Sequence, residues 1–278
     1  MSAQCLAAAQ RTVPSNFTVH SMHCYFVLAG DSETPILYHV EHVREGRSFA
    51  TRTVQARQRG KCIFTTTLSF VRENSAGSQT VNHAAPLPKD IRLPVEPTSD
   101  ESKVERAVTG GSPFESQRIE ILNADSKNPH EKRTRQWIRA RGRISDEGGH
   151  QAHLSALAYV SDSYFIGTIS QVHGLHRWGD WAKNLAKLKD ISDEDRAAYA
   201  RRLNEIDRAN SAGNSSDKEI GMMVSLDHTI YFHEPRKFRA DEWMFTEMWT
   251  PWSGDGRGLV MQHIYSKDGT LIATCVQE

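Results

Sequence analysis

Asp162 is the residue in this sequence whose chemistry fits its surroundings least. It lies within Tyr159-Val160-Ser161-Asp162, late in a segment that is apolar nearly all round. A carboxylate in such a place is seldom buried unless it is paired or functional; an aspartate at a helix end that reaches solvent would also satisfy the pattern. Ser225 and Asp227 alternate with Val224, Leu226 and His228, so both are expected on one face of a strand. They need partners if that face is interior and none if it is solvated. Gln277 shares a strand face with Ala273 and Cys275, and its type alone assigns it no role. His228 and His233 flank one strand without the close third ligand a metal requires, so neither a metal site nor a cofactor is expected. Ser155 and Ser161 stand outside any Gly-x-Ser-x-Gly elbow, and the sequence has no glycine-rich phosphate loop.

The elements that must position these residues come in a repeated order. Residues 3–12 read as an alanine-rich helix, and residues 20–28, 36–43, 48–58 and 61–71 follow as strands rich in β-branched and aromatic side chains. Arg44-Glu45-Gly46 and Arg59-Gly60 supply the turns between them. Residues 74–115 carry five prolines, a Gly110-Gly111 pair and mostly polar side chains, and are read as a linker that cannot build a core. Beyond it, residues 116–122 and 134–144 look like strands, Gly148-Gly149 opens a buried helix over 150–166, and strands follow at 222–233, 242–250, 258–266 and 270–277. Asp268-Gly269 marks a tight hairpin between the last two. A helix followed by about four antiparallel strands thus occurs twice, in lobes 1–73 and 116–278. Residues 176–210 are charged and helix-forming, and read as an inserted pair of surface helices.

Bulk composition narrows the partners. Lys+Arg and Asp+Glu both number 34 in 278 residues, so the formal net charge is zero. No basic excess points to a nucleic-acid backbone, no polybasic run points to anionic lipid, and no apolar run approaches the length of a membrane helix. The four cysteines are far apart in apolar surroundings, which suits free thiols in a reducing compartment. The opening residues do not read as a secretory signal.

Several segments together resemble the acyl-CoA thioesterase II family. Val19-His20-Ser21-Met22-His23-Cys24-Tyr25-Phe26 is similar to its second-strand motif, and Arg44-Glu45-Gly46-Arg47-Ser48-Phe49 to its hairpin motif. Tyr159-Val160-Ser161-Asp162, the run from Leu226 to His233, and the closing Ala273-Thr274-Cys275-Val276-Gln277-Glu278 match as well, in the family's order. The resemblance implies an α+β double hot-dog, in which two antiparallel sheets each wrap a central helix. It implies hydrolysis of acyl-CoA thioesters by one water held between Asp162, Ser225 and Gln277. Asp162 would act as general base, Ser225 and Gln277 would orient the water, and backbone N–H groups at a helix N-terminus would receive the oxyanion.

The match has departures. Members ordinarily carry a further strand and a Phe-Gly-Gly-Gln opening ahead of the region matched here, so the first lobe is expected to lack a strand and the chain to form a homo-oligomer that covers the gap. Leu28-Ala29 replaces a common Arg-Pro pair, and Glu234 replaces a common Arg. No Ser-Lys-Leu address ends the sequence; a peroxisomal or cytoplasmic location is expected. Two other readings fit the same fold: a non-catalytic acyl-CoA-binding or assembly subunit, and a hydratase, for which the needed Asp and His pair is not found.

Overall fold

The computed structural model describes residues 1–108, 111–175 and 220–278, with 192–194, 196, 197, 200 and 201 between them. Apart from those few positions, the helical insertion expected at 176–210 lies outside the described residues. The first lobe consists of α1 (Ser2–Gln10) and strands β1 (Phe17–Phe26), β2 (Leu37–Glu45), β3 (Phe49–Gln58) and β4 (Lys61–Arg72). After α2 (Ser99–Val108), the second lobe follows with β5 (Phe114–Leu122), β6 (Arg133–Ala140), α3 (Gly149–Ser163), α4 (Gly167–Val172), β7 (Asp227–Phe232), β8 (Met244–Gly254), β9 (Arg257–Ser266) and β10 (Leu271–Gln277). The strands expected from alternation are present within a few residues. The β3–β4 turn is made by Arg59 and Gly60, both at positive φ, as a two-residue hairpin demands.

Hydrogen bonding runs unbroken through the order β2-β3-β4-β1-β7-β10-β9-β8-β6-β5. Two sheets side by side were expected; the two hot-dog lobes instead share one ten-stranded antiparallel sheet, joined where β1 meets β7. The join pairs Met22 with Ile230 and Cys24 with His228, and all four side chains are buried. On either side of it the order is the same: β1-β4-β3-β2 in one direction, β7-β10-β9-β8 in the other. An approximate twofold therefore relates the lobes. The helices α1 and α3 pack together against the inner face, and one apolar cluster runs through both lobes, from Leu6 and Leu68 to Leu157 and Ile264. The sheet ends at β2 and β5, edge strands whose charged residues, among them Glu41, Arg44, Glu115 and Glu120, discourage indiscriminate strand pairing.

The stretch read as a coreless linker differs from that expectation. It contains α2, and its proline-rich part crosses the outer face of the second lobe. Leu87 and Ile91 pack on Trp137, Trp243, Phe245 and Tyr265. Trp137 donates its indole N–H to Arg92 O at 2.8 Å, and Trp243 donates to Glu96 Oε1 at 3.0 Å. Arg135 pairs with Asp90 at 3.0 Å, and Arg139 with Glu96 at 2.8 Å while lying 4.1 Å from the Trp243 ring. Prolines suit a strap of this kind because they bring no N–H that would need a ladder partner. Among the described residues no helix is long and apolar enough to cross a membrane.

Because the join is buried and the core is continuous, both lobes should unfold in one cooperative transition. Ile230→Ala, at the join, should cost about 2–5 kcal/mol without splitting that transition. Calorimetry resolving two separate transitions would contradict a shared core.

Candidate active site

Packing fixes where Asp162 sits. Leu154, Leu157 and Ala158 are fully buried, which sets the rotation of α3 about its axis, and Asp162 lies four residues beyond Ala158 on the same stripe. Ser2 Oγ at the start of α1 donates to Ala158 O at 2.8 Å, tying the two helices together beside this last turn. An acidic side chain at a helix C-terminal turn faces the negative end of the macrodipole, so helix stability does not account for an aspartate here.

Gln277 lies across from it on the inner face of β10, 2% exposed, in line with the buried Ala273 and Cys275. Its amide is used at both ends. Nε2 donates to Asp162 Oδ1 at 3.0 Å and also to Ser225 Oγ. Oε1 accepts from His228 Nδ1 at 3.2 Å. One side chain thus gathers residues 115 and 52 positions away in the chain, and the three residues singled out in the sequence meet in one place.

Ser225 does not belong to a strand, although its alternation suggested one. β7 begins at Asp227, and Met222, Val224 and Leu226 are exposed. The reason is register: β1 ends at Phe26, and among the described residues no strand pairs with 222–225. Two main-chain hydrogen bonds and one to the Asp227 side chain hold the end of the segment instead. Phe26 N donates to Leu226 O at 3.0 Å, Leu226 N to Glu278 O at 2.8 Å, and Glu278 N to Asp227 Oδ1 at 2.9 Å. Asp227 therefore closes the ends of β7 and β10 and does not face the Asp162 carboxylate beside Ser225.

His228 is the residue that sequence reasoning missed. Considered there only as a metal ligand, it is 1% exposed, with its ring perpendicular to that of Phe165 and the centroids 5.8 Å apart. Ser161 Oγ lies 3.0 Å from its Nε2. Burial holds its pKa below the ordinary histidine value, although Asp162 and the bond to Gln277 pull the other way. The signal was available: His228, Ile230 and Phe232 alternate as one inward face. His233 is odd in that alternation and bonds Thr274 Oγ1 at 2.8 Å, on the other face of the sheet. Among the described residues no group of three or more His, Cys, Asp or Glu side chains is arranged to hold a metal ion.

The sequence matches known proteins along its whole length. Residues 1–71 match the family described as acyl-CoA thioesterase N-terminal domain, and residues 88–278 match the acyl-CoA thioesterase C-terminal domain. The chain is 33% identical over 291 residues to acyl-coenzyme A thioesterase 8 of Rattus norvegicus, covering 99% of this chain and 76% of that protein. It is 30% identical over 293 residues to acyl-CoA thioesterase 2 of Haemophilus influenzae, with 99% and 84% covered. Among solved structures, the acyl-CoA thioesterase II TesB2 of Mycobacterium marinum superposes with a TM-score of 0.66 at 25% identity, over 99% of this chain and 84% of that one. These likenesses make the chain a thioester hydrolase with the hot-dog fold. It belongs to the acyl-CoA thioesterase family.

Three thiols stand close to this machinery or the helices beside it. Burial pushes Cys5 and Cys24 up to about 12 and raises Cys275 further still. A thiol that stays protonated in the fold but ionises once unfolded stabilises the fold fully below pH 9 and progressively less as pH rises toward 12. Stability should therefore fall steeply across that alkaline window. In the native chain at pH 8, iodoacetamide should label Cys62, the one cysteine that is not buried, and leave Cys5, Cys24 and Cys275 unmodified until denaturant is added. Rapid native labelling of Cys24 or Cys275, read by mass spectrometry, would contradict their burial.

Proposed function

We propose that this chain hydrolyses acyl-CoA thioesters with a single water activated by Asp162 and oriented by Ser225 and Gln277. The observation that carries the reading is the Gln277 amide bonded at once to Asp162 and Ser225. Gln277 occupies Oδ1 of the carboxylate, leaving Oδ2 to accept a proton. Ser225 accepts from Gln277, so its own hydroxyl hydrogen is available as a donor. A water seated against both gives one hydrogen to Asp162 and receives one from Ser225, and its remaining lone pair points at the thioester carbonyl carbon.

The chemistry then needs little more. As the water oxygen bonds to the carbonyl carbon, its proton passes to Asp162. The tetrahedral intermediate collapses with cleavage of the C–S bond, CoA leaves as thiolate, and Asp162 returns the proton to sulfur. The thiolate is a good leaving group, so general-base help and positioning suffice.

The purified chain should release free thiol from acyl-CoA substrates, read with a thiol reagent. Asp162→Asn should keep the fold and lower kcat by at least about a hundredfold, the scale of losing a general base; near-normal turnover would remove Asp162 from the mechanism. Ser225→Ala, Gln277→Ala and the double variant should be compared together. If both side chains hold one water, the double variant should lose far less than the sum of the two barrier increases, and strict additivity would count against a shared water. Tight acyl-CoA binding with no turnover across a series of acyl lengths would favour a binding subunit instead.

A further inference from the structure

We infer that His228 is a positioning residue for this reaction: a neutral imidazole with its proton on Nδ1 fixes which end of the Gln277 amide faces the water. The inference rests on the catalytic reading of Asp162 and Gln277 given above. It starts from a property of primary amides, which have an acceptor end and a donor end of nearly the same shape. Rotating the Gln277 amide by half a turn would place Oε1 against Asp162 Oδ1 and Ser225 Oγ, and Nε2 against His228 Nδ1.

While Asp162 is ionised, its charge alone disfavours that arrangement, because two acceptors would meet at 3.0 Å. The position changes once Asp162 has taken the water's proton. A neutral carboxyl can donate as well as accept, and so can Ser225, so neither distinguishes the two ends of the amide any longer. His228 does. With hydrogen on Nδ1 it offers only a donor to Gln277, and the amide must keep Oε1 toward it. The orientation thus survives the half of the cycle in which Asp162 is neutral, and the next water meets the same arrangement.

The tautomer is set from the other side of the ring. Ser161 Oγ is 3.0 Å from Nε2 and 3.4 Å from Ala158 O, so its hydrogen goes to the shorter contact and leaves Nε2 as acceptor. The groups facing the ring are Ser161, Gln277, Phe165 and, across the β1–β7 pair, Cys24, with Asp162 and Asp227 as the nearby charges. The ring is nearly inaccessible to solvent, and burial opposes a second proton despite the two carboxylates.

Two measurements test this. First, nitrogen-15 NMR of the histidine-labelled wild-type chain, with the His228 signals assigned by their loss in His228→Asn, should show that imidazole as the neutral Nδ1–H tautomer, unchanged between about pH 6 and 8. A His228 ring with its proton on Nε2, or one that titrates in that range, overturns the inference whatever the activity. Second, His228→Leu should lower kcat about tenfold or more with KM within about twofold, as expected when an oriented hydrogen bond is lost from the transition state. His228→Asn, whose side-chain N–H can stand close to the place of Nδ1–H but whose amide can also present its oxygen, should recover kcat only in part, to a value above that of the leucine variant. Equal losses in both variants, no loss in either, or a loss confined to KM would each overturn the inference. Should the leucine variant fail to fold, the NMR measurement decides alone. A wild-type chain that releases no thiol would instead sink the catalytic reading, so the two failures are distinguishable.

Discussion

An amide group can satisfy a carboxylate, a hydroxyl and an imidazole at once only if its two ends are never confused, and this constraint organises the second lobe. Gln277 sits on a buried strand face, Asp162 on a helix whose rotation is set by packed leucines, and Ser225 on a segment clamped between β1 and β10. Each of those supports is tertiary. A shift of α3 by one residue, or of β10 by one register step, would carry one member of the trio away and leave a buried polar group unpaired, at a cost of about 1–3 kcal/mol. The precision of the site is therefore enforced by the same packing that stabilises the fold.

The shared sheet gives that precision its rigidity. Strand β7, which carries His228, is hydrogen-bonded on one side to β10, which carries Gln277, and on the other to β1 of the first lobe. The second lobe could not lose its neighbour without baring the strand beside the site. On the opposite face, the proline-rich strap covers Trp137, Trp243 and Tyr265, so the strands are held from both sides: by helices within and by an irregular segment without.

Much of this was legible in the sequence. Alternation placed the strands, because a half-buried sheet imposes a period of two on side-chain polarity. Asp162 was found because a carboxylate on an apolar helix needs a reason, and Gln277 by its matching motif. Three things were not legible. The strap was read as coreless because Leu87, Ile91 and Arg92 have partners 45 or more residues away, and composition reports only local company. Strand β7 starts later than its alternation suggests because its neighbour β1 ends at Phe26. The environment of His228 depends on residues 49 and 67 positions distant, and no local pattern reports such a meeting.

The approximate twofold has an arithmetical consequence. Tyr25 and Phe26 correspond to Tyr231 and Phe232, an offset of 231 − 25 = 206 residues. By the same offset Ser225 corresponds to Val19 and His228 to Met22. Gln277, one step beyond the pair Val276–Thr229, corresponds to Leu68, the partner of Met22. Val19, Met22 and Leu68 are all fully buried. Where one lobe has a wired polar group, its twin has a plain apolar plug. The pseudosymmetric molecule thus carries this polar cluster in one half only, and on the proposed reading two kinds of genetic damage separate: changes to the plug register as loss of folded protein, while conservative changes to its polar counterpart register as folded protein with lowered turnover.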